Sequence, residues 1–160
     1  MRFQDQVVLV TGATRGIGRC VAESFAKEGA MAIIVGRNEA LAQEVRDGLV
    51  KEGLKADYFV CDVTNVNQVQ ETVNKILDKH KCIDILVNNA GVTRDNLLLR
   101  LSESDWDEVI NVNLKGVFTT TKIVSKAMLR AKKGKIISIA SIIGITGNAG
   151  QASYAASKAG

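Results

Sequence analysis

The fold is decided near the start of the chain, by the stretch Val7-Val8-Leu9-Val10-Thr11-Gly12-Ala13-Thr14-Arg15-Gly16-Ile17-Gly18. Its four leading apolar residues predict a buried strand at 7–10, and the glycines predict a tight turn that opens a helix. Glycines at this point let the backbone approach a phosphate, which then lies at the helix N-terminus. Such a turn also occurs without a ligand, but its place between the first strand and the first helix favours a dinucleotide site. The residues predicted to form that site are Gly12, Ala13, Thr14, Arg15, Gly16, Ile17 and Gly18.

Short apolar runs alternate with helical spacing along the rest of the chain. The alternation predicts βαβ units, and therefore a Rossmann-type, doubly wound α/β fold with a parallel sheet and helices on both faces. The strands are continuously apolar, as a sheet covered on both faces requires. Ser102, with Asp105 three residues later, resembles a capping box at the start of a long helix. Further strands are predicted at 31–35, 56–60, 83–87 and 136–139, and helices at 19–27, 39–52, 66–79, from 102 to about 131, and from 151 onward.

Composition, charge and the length of the apolar runs argue against two classes of protein, those that bind nucleic acids and those that enter or cross a membrane. The net charge is +4, but Lys and Arg are spread along the 160 residues and aromatic residues make up only 4%. A nucleic-acid interface needs a basic stripe with interleaved aromatic residues, so no nucleic-acid partner is expected. No apolar run approaches the length of about 20 residues that crosses a bilayer, and the start lacks a signal-peptide layout, so a cytoplasmic protein is expected. The wide spacing of Cys20, Cys61 and Cys82 indicates neither a disulfide framework nor a metal site.

The end of the second predicted strand bears on the choice of dinucleotide. An NAD site usually places an acidic residue there, against the ribose hydroxyls. Here the strand ends Val35-Gly36-Arg37-Asn38, with a guanidinium in place of a carboxylate. A guanidinium suits a 2′-phosphate, and Arg15 offers a second one. Both arginines could instead be solvated surface residues, but the pattern favours NADP(H).

Polar and small residues follow the third and fourth predicted strands, at the edge of a parallel sheet where ligands bind. Asp62, followed by Val63, could accept a hydrogen bond from an adenine amino group, or could simply start the next helix. Asn89, Ala90 and Gly91 could line the adenosine pocket, although asparagine is also an ordinary turn former.

Three residues near the end of the chain have the chemistry of carbonyl reduction. Tyr154 and Lys158 are four residues apart, so they share a face of a helix. An ammonium near a phenol favours the phenolate, which makes the phenol a usable proton donor near neutral pH. Ser141 follows the fifth predicted strand, and its hydroxyl could hold the same carbonyl oxygen. Each residue taken alone has an ordinary surface or turn role.

In their order along the chain, these motifs resemble those of the short-chain dehydrogenases/reductases. Two further stretches, 93–98 and 147–154, are similar to the 3-oxoacyl-(acyl-carrier-protein) reductases within that family. The residues that carry the resemblance are Thr11 to Gly18, Asn88 to Gly91, Asn113 within Asn111-Val112-Asn113-Leu114, Ser141, and Tyr154-Ala155-Ala156-Ser157-Lys158.

The resemblance implies a role for each catalytic candidate. Tyr154 would be the general acid, and Lys158 would hold the nicotinamide ribose and favour the phenolate. Ser141 would orient the substrate carbonyl. Asn113 would interrupt its long helix and hold a water in a proton relay. The implied reaction is the NADPH-dependent reduction of a 3-oxoacyl thioester on acyl carrier protein to the 3-hydroxyacyl thioester, in fatty-acid biosynthesis.

The resemblance also implies partners and extent. The carrier is acidic, so Arg130, Lys132 and Lys133 are candidates for a docking patch, or else a solvated helix end that suits the dipole. A homotetramer formed through two long helices is expected. The family fold continues past Lys158, so residues 1–160 are expected to be a single NADP-binding domain, the N-terminal two-thirds of that fold, cut after the active-site helix begins. A molecule limited to these residues is expected to turn over little substrate.

Two other functions remain open at this point. Another short-chain carbonyl reductase would act on a coenzyme A thioester, a sugar or a steroid. A cofactor-binding piece without catalysis would bind NADPH, and Tyr154→Phe would then affect no reaction.

Overall fold

The computed structural model describes residues 1–160 as a five-stranded parallel sheet flanked by helices. The strand order is β3-β2-β1-β4-β5, which confirms the predicted doubly wound α/β fold. The strands are β1 (Val7–Thr11), β2 (Met31–Gly36), β3 (Ala56–Val60), β4 (Ile85–Asn88) and β5 (Lys135–Ser138), and the helices are α1 (Gly16–Lys27), α2 (Glu39–Lys51), α3 (Val66–His80), α4 (Glu103–Ile110), α5 (Gly116–Ala131), α6 (Ile143–Thr146) and α7 (Ala152–Ala159).

The sheet divides the core into two apolar layers. Because side chains alternate along a strand, Val8 and Val10 of β1 pack with α1 and α2, while Val7 and Leu9 pack with α3 and α5. Strands β2 and β3 lie on one side of β1, whereas β4 and β5 lie on the other. This change of side between β1 and β4 opens a crevice at the carboxyl ends of the strands. No helix of the protein combines the length and the apolar character needed to pass through a membrane.

The single long helix predicted from 102 to about 131 is in fact three segments. Ser102 caps α4 as predicted, since its Oγ accepts a hydrogen bond of 3.1 Å from Asp105 N. A π-helical turn, Asn111–Lys115, then separates α4 from α5. Asn113 lies within that turn, as the resemblance implied. Two short elements, the 3₁₀ turn Leu98–Arg100 and α6, were not predicted, since four residues or fewer show no helical period.

Strand β5 departs from the expectation of strands covered on both faces. It is the last strand of the sheet, and all four of its residues are exposed. Ile136 and Ile137 are 41% and 42% exposed, and neither belongs to the two apolar layers that the helices cover. The other predicted strands and helices lie within three residues of the observed ones, the largest difference being at the start of α1.

One buried carboxylate ties the amino ends of the sheet together. Asp84, just before β4, accepts 2.9 Å and 2.7 Å hydrogen bonds from Val7 N and Lys133 Nζ, and a 3.4 Å hydrogen bond from Cys82 Sγ. Burial by itself raises the pKa of Asp84, but these three donors outweigh it and hold the pKa below its usual value. Lys133 is therefore held at the amino edge of the sheet.

Candidate active site

The turn after β1 contains three glycines, two of which leave no room for a side chain. Gly12 has φ +64°, and a Cβ on it would lie 2.8 Å from Ala90 Cα. A Cβ on Gly18 would lie 2.5 Å from Gly12 O. Gly16 has φ +55° with open space around it. The first and third glycines thus serve close backbone packing, while the second leaves the mouth of the turn open, which fits a pyrophosphate.

Helix α1 begins without any side-chain cap. Arg15 precedes it in extended conformation, its side chain makes no capping hydrogen bond, and no acidic residue lies in the first turn. By contrast, Asn38, Asn65 and Ser102 cap α2, α3 and α4 with their side chains. The first N–H groups of a helix need an acceptor, and an anion is the usual alternative to a cap. The N-terminus of α1 is therefore a fitting place for a phosphate.

An open cleft of about 630 Å³ extends from this turn across the carboxyl ends of β1 to β4. Most of the predicted cofactor residues line it. Ala13 does not, because its side chain is 0% exposed and packs in the core with α1 and α2. The predicted residues that line the cleft are Gly12, Thr14, Arg15, Gly16, Ile17, Gly18, Arg37, Asp62, Val63, Asn89, Ala90 and Gly91.

The charged side chains of the cleft are two arginines and one aspartate. Arg15 and Arg37 are exposed and form no ion pair. Glu39, the acid nearest the end of β2, accepts a 3.5 Å hydrogen bond from Tyr58 Oη and does not line the cleft. Asp62 has a structural role, since its Oδ1 accepts hydrogen bonds of 2.9 Å and 2.8 Å from Thr64 N and Oγ1. Arg15 and Arg37 therefore bring positive charge to the cleft that no carboxylate of the protein pairs with.

Thr11 and Asn89 join the ends of β1 and β4 at the floor of the cleft. Thr11 Oγ1 accepts 3.1 Å hydrogen bonds from both Asn89 N and Ala90 N. Asn89 Nδ2 donates to Thr11 O at 3.0 Å and to Gly12 O at 3.1 Å. These bonds hold the glycine turn in shape. The sequence placed Thr11 in the motif but assigned it no role, because the partner of its hydroxyl lies far along the chain.

Asn113 uses its side-chain amide to hold the far wall of the cleft. Its Oδ1 accepts a 2.8 Å hydrogen bond from Val92 N, and its Nδ2 donates to Val92 O at 2.9 Å. A third hydrogen bond, 3.1 Å long, runs from Nδ2 to Ser157 Oγ in α7. Asn113 is 4% exposed. Its amide thus connects the loop after β4 with the helix that carries Tyr154.

Of the four predicted catalytic residues, Tyr154 and Lys158 lie on α7 and Ser141 lies just before α6, which packs against α7. Ser141 precedes α6, and its Oγ accepts a 3.2 Å hydrogen bond from Ile143 N. A Cβ on Gly144 would lie 2.7 Å from the carbonyl carbon of Lys158, so the glycine allows α6 to touch α7. Neither Tyr154 nor its neighbours line the cleft described above; they are joined to its wall through Asn113.

Lys158 is held beside the ring of Tyr154. Its Nζ donates a 2.5 Å hydrogen bond to Ile139 O, directly after β5, and lies 5.8 Å from the centre of the Tyr154 ring. Burial lowers the pKa of the Lys158 ammonium, because the charged form is less well solvated there. The phenol hydroxyl of Tyr154 makes no hydrogen bond within the protein. The Lys158 ammonium therefore lies close to the ring of a tyrosine whose hydroxyl is not bonded within the protein.

The two stretches that suggested a subfamily meet in space. Asn96 N donates a 2.9 Å hydrogen bond to Gly150 O, and Gln151 Nε2 donates at 3.1 Å to Asp95 Oδ2. Arg94 is anchored to Glu108 by two hydrogen bonds, 2.8 Å and 2.7 Å long. The loop after β4 and the segment before α7 thus form one unit beside Tyr154.

The chain resembles known proteins in both sequence and fold. The sequence profile described as short chain dehydrogenase matches residues 6–160. The chain belongs to this family. The chain is 50% identical over 164 residues to a curated relative, the 3-oxoacyl-[acyl-carrier-protein] reductase FabG of Thermotoga maritima. It is 44% identical over 160 residues to the 3-oxoacyl-[acyl-carrier-protein] reductase FabG of Escherichia coli. It is covered completely in both alignments and spans 65% and 64% of the length of those relatives.

A solved structure shows the same fold. The crystal structure of gox2181 superimposes on this short chain dehydrogenase with a TM-score of 0.97 at 34% identity. The match covers 99% of this chain and 63% of that chain.

Proposed function

We propose that the protein carrying residues 1–160 is an NADPH-dependent carbonyl reductase, and that its substrate is a 3-oxoacyl thioester on acyl carrier protein. The observation that carries the proposal is the arrangement at α7, where the half-buried Lys158 ammonium is pinned to Ile139 O beside the unengaged phenol of Tyr154. We propose further that residues 1–160 act as a single nucleotide-binding domain. The relatives named as 3-oxoacyl-[acyl-carrier-protein] reductases support the choice of substrate.

The glycine turn and the start of α1 are proposed to hold the cofactor pyrophosphate. The uncapped N–H groups of α1 supply hydrogen-bond donors, and the helix dipole favours negative charge there. Gly12 and Gly18 keep side chains out of the turn. The cofactor, when bound, supplies the hydride that reduces a carbonyl carbon.

Arg37 and Arg15 are proposed to select the phosphorylated cofactor. Both guanidinium groups line the cleft and form no ion pair with a carboxylate of the protein. Each is therefore available to pair with an anionic group of a ligand. A 2′-phosphate can accept bidentate hydrogen bonds from a guanidinium. The Oδ2 atom of Asp62 takes no part in the hydrogen bonds to Thr64. It is proposed to accept a hydrogen bond from the adenine amino group, with Val63 packed against the adenine ring.

Tyr154, Ser141 and Lys158 are proposed to handle the substrate carbonyl and its proton. The Tyr154 hydroxyl donates its proton to the carbonyl oxygen as negative charge develops on it. Ser141 Oγ donates a hydrogen bond to the same oxygen and orients it. The Lys158 ammonium stabilises the phenolate that remains. For Asn113, a water-holding role would fall to groups other than its side-chain amide, which is already bonded to Val92 and Ser157.

An acidic carrier protein fits the distribution of charge. Residues 109–160 contain eight Lys and Arg residues and no Asp or Glu. Lys133 is taken up by the buried Asp84, so the proposed docking cations reduce to Arg130 and Lys132, both exposed at the end of α5. That end lies at the amino edge of the sheet, about 24 Å along α5 from its start. In the homotetramer proposed from the family resemblance, a carrier protein docked at this end of one copy would reach the site of a neighbouring copy.

The direct test is NADPH oxidation with an acetoacetyl thioester, using Tyr154→Phe as the blank. The proposal expects turnover that falls by about 10²–10⁴-fold in the variant, while NADPH binding stays unchanged. Equal turnover by the two proteins would contradict it. Comparing the carrier-protein thioester with the coenzyme A thioester separates the proposed substrate from the nearest alternative, because equal kcat/KM on both would favour a coenzyme A reductase.

A further inference from the structure

Ser157 is a buried residue of α7 that none of the proposed catalytic roles uses. It is 3% exposed. Its Oγ donates a 2.8 Å hydrogen bond to the main-chain carbonyl of Tyr154 and accepts the 3.1 Å hydrogen bond from Asn113 Nδ2. The hydroxyl therefore uses its donor and one acceptor position, both inside the protein.

These bonds form a continuous path from the cleft wall to the general acid. Val92 lines the cleft, and both its N–H and its C=O are bonded to the Asn113 amide. Asn113 itself is fixed by the π-helical turn between α4 and α5. Ser157 extends the path from Asn113 to the backbone of Tyr154. Without the Ser157 hydroxyl, the path ends at Asn113.

Helix α7 depends on such contacts for its position. It has eight residues, a length at which a helix has little stability of its own. Other contacts of α7 are the Lys158 bond to Ile139 O and the packing of α6 at Gly144. The segment just before α7 is also hydrogen-bonded to the loop after β4, at residues 95–96. Within α7 itself, the Ser157 hydroxyl makes the hydrogen bond that leads through Asn113 to that loop.

A neighbouring serine provides the natural contrast. Ser153 lies one turn earlier in α7 and is 1% exposed, so it is buried at least as deeply as Ser157. Its Oγ has no hydrogen-bond partner. The two residues thus share type, helix and burial, and differ in whether the hydroxyl is bonded.

We propose that Ser157 is a positioning residue, whose hydroxyl links Asn113 to the Tyr154 carbonyl and so sets the phenol against the wall of the cofactor cleft. The inference rests on the proposed reductase function. It predicts that losing the hydroxyl impairs the chemical step more than cofactor binding, because the glycine turn and the arginines remain in place. A misplacement of about 1 Å at a reacting group can lower the rate by about a hundredfold.

The test measures kcat and the KM for NADPH with an acetoacetyl thioester in Ser157→Ala, Ser157→Thr and Ser153→Ala. Ser157→Ala is expected to lower kcat by at least about tenfold, with the KM for NADPH within about twofold of the unaltered value. Ser157→Thr keeps a hydroxyl that can bond the same carbonyl, and it is expected to recover most of kcat. Ser153→Ala is expected to leave both constants unchanged. Should Ser157→Ala fail to fold, Ser157→Cys keeps the volume with only a weak donor and acceptor, and the same loss of kcat is expected.

Three results would overturn the inference. A Ser157→Ala protein as fast as Ser153→Ala would show that the hydroxyl positions nothing. A Ser157→Thr protein as slow as Ser157→Ala would assign the effect to packing. No difference between the unaltered protein and Tyr154→Phe would remove the reductase function and this inference with it, so failure of the proposed function is recognised separately.

Discussion

The two edges of the sheet treat their polar groups in opposite ways. At the amino edge, Asp84 is buried, and its carboxylate takes hydrogen bonds from Val7 N, Cys82 and Lys133. At the carboxyl edge, Arg15, Arg37 and the N–H groups at the start of α1 have no partner within the protein. The same strands begin at one edge and end at the other, and the unpaired groups lie where the strand order opens the cleft.

Groups that stabilise the fold differ in this way from groups that are available to a ligand. A buried charge is tolerated only when the protein satisfies it, and Asp84 meets that condition. Polar groups that face an open cleft and stay unpaired do not stabilise the folded state. We therefore expect substitutions at the amino edge to change stability, and substitutions at the carboxyl edge to change binding and turnover.

The largest effect is expected from Gly12→Ala, which fills the turn at the carboxyl edge. The new Cβ would lie 2.8 Å from Ala90 Cα at a φ of +64°, so the turn must shift. NADPH affinity, measured by fluorescence titration, is expected to fall by at least about a hundredfold. Gly53→Ala is the matched control, because Gly53 has φ +75° with open space around it. It is expected to cost about 1 kcal/mol of stability and no NADPH affinity.

At the amino edge, Asp84→Asn is expected to lower the free energy of unfolding by about 2 kcal/mol at neutral pH, and to leave NADPH affinity intact. Because the folded-state pKa of Asp84 is lowered, the stability it contributes is present above the unfolded value of about 3.9 and is lost as pH falls through the folded value. Urea unfolding of both proteins at neutral pH and near pH 3 checks this, since the difference should shrink in acid. Asp78→Asn, at an exposed and unpaired carboxylate, should change neither; a constant difference at both pH values would contradict the account of Asp84.

Arg37→Ala is expected to weaken NADPH binding by about tenfold, because a charge-assisted hydrogen bond contributes about 1.5–3 kcal/mol in favourable cases and less when exposed. NADH affinity should stay the same, since it lacks the 2′-phosphate. The ratio of the two dissociation constants is the measurement. Arg100→Ala, at an exposed arginine outside the cleft, serves as control. An equal loss for both cofactors would show that Arg37 does not read the phosphate.

The smallest effect is expected from Arg130→Glu at the end of α5. The KM for a carrier-protein thioester should rise severalfold at low salt and converge with the unaltered value at high salt, because exposed charges are screened. The KM for the coenzyme A thioester should not change. Lys51→Glu, at an exposed lysine of α2, is the control. A rise for both substrates would argue against a docking role.

Much of this architecture could be predicted from local sequence. The runs at 7–10 and 31–35 are apolar enough to be buried strands. Asn38 and Ser102 are of residue types that favour helix N-termini, and their side chains cap α2 and α4. The interruption of the long helix at Asn113 could be predicted only from the family resemblance, and its π-helical form could not, because its residues keep helical spacing. The exposure of β5 could not be predicted, since its apolar composition is that of a covered strand.

The site was predicted less completely than the fold, for a physical reason. The candidate roles of side chains such as Arg37 and Lys158 could be predicted from their positions in the sequence motifs. The bonds of Thr11 to Asn89, of Asn113 to Ser157 and of Lys133 to Asp84 join segments far apart in sequence, so only the folded chain brings them together. Ala13 shows the converse, since its place in the motif did not reveal that its side chain lies in the core.

Amide hydrogen exchange with and without saturating NADPH tests the central claim most directly. The account predicts slower exchange at residues 12–18 and 89–92, at the carboxyl edge, and no local change at 82–84 and 133–135, at the amino edge. Protection at the amino edge, or none at the glycine turn, would contradict the assignment of the carboxyl edge as the cofactor site.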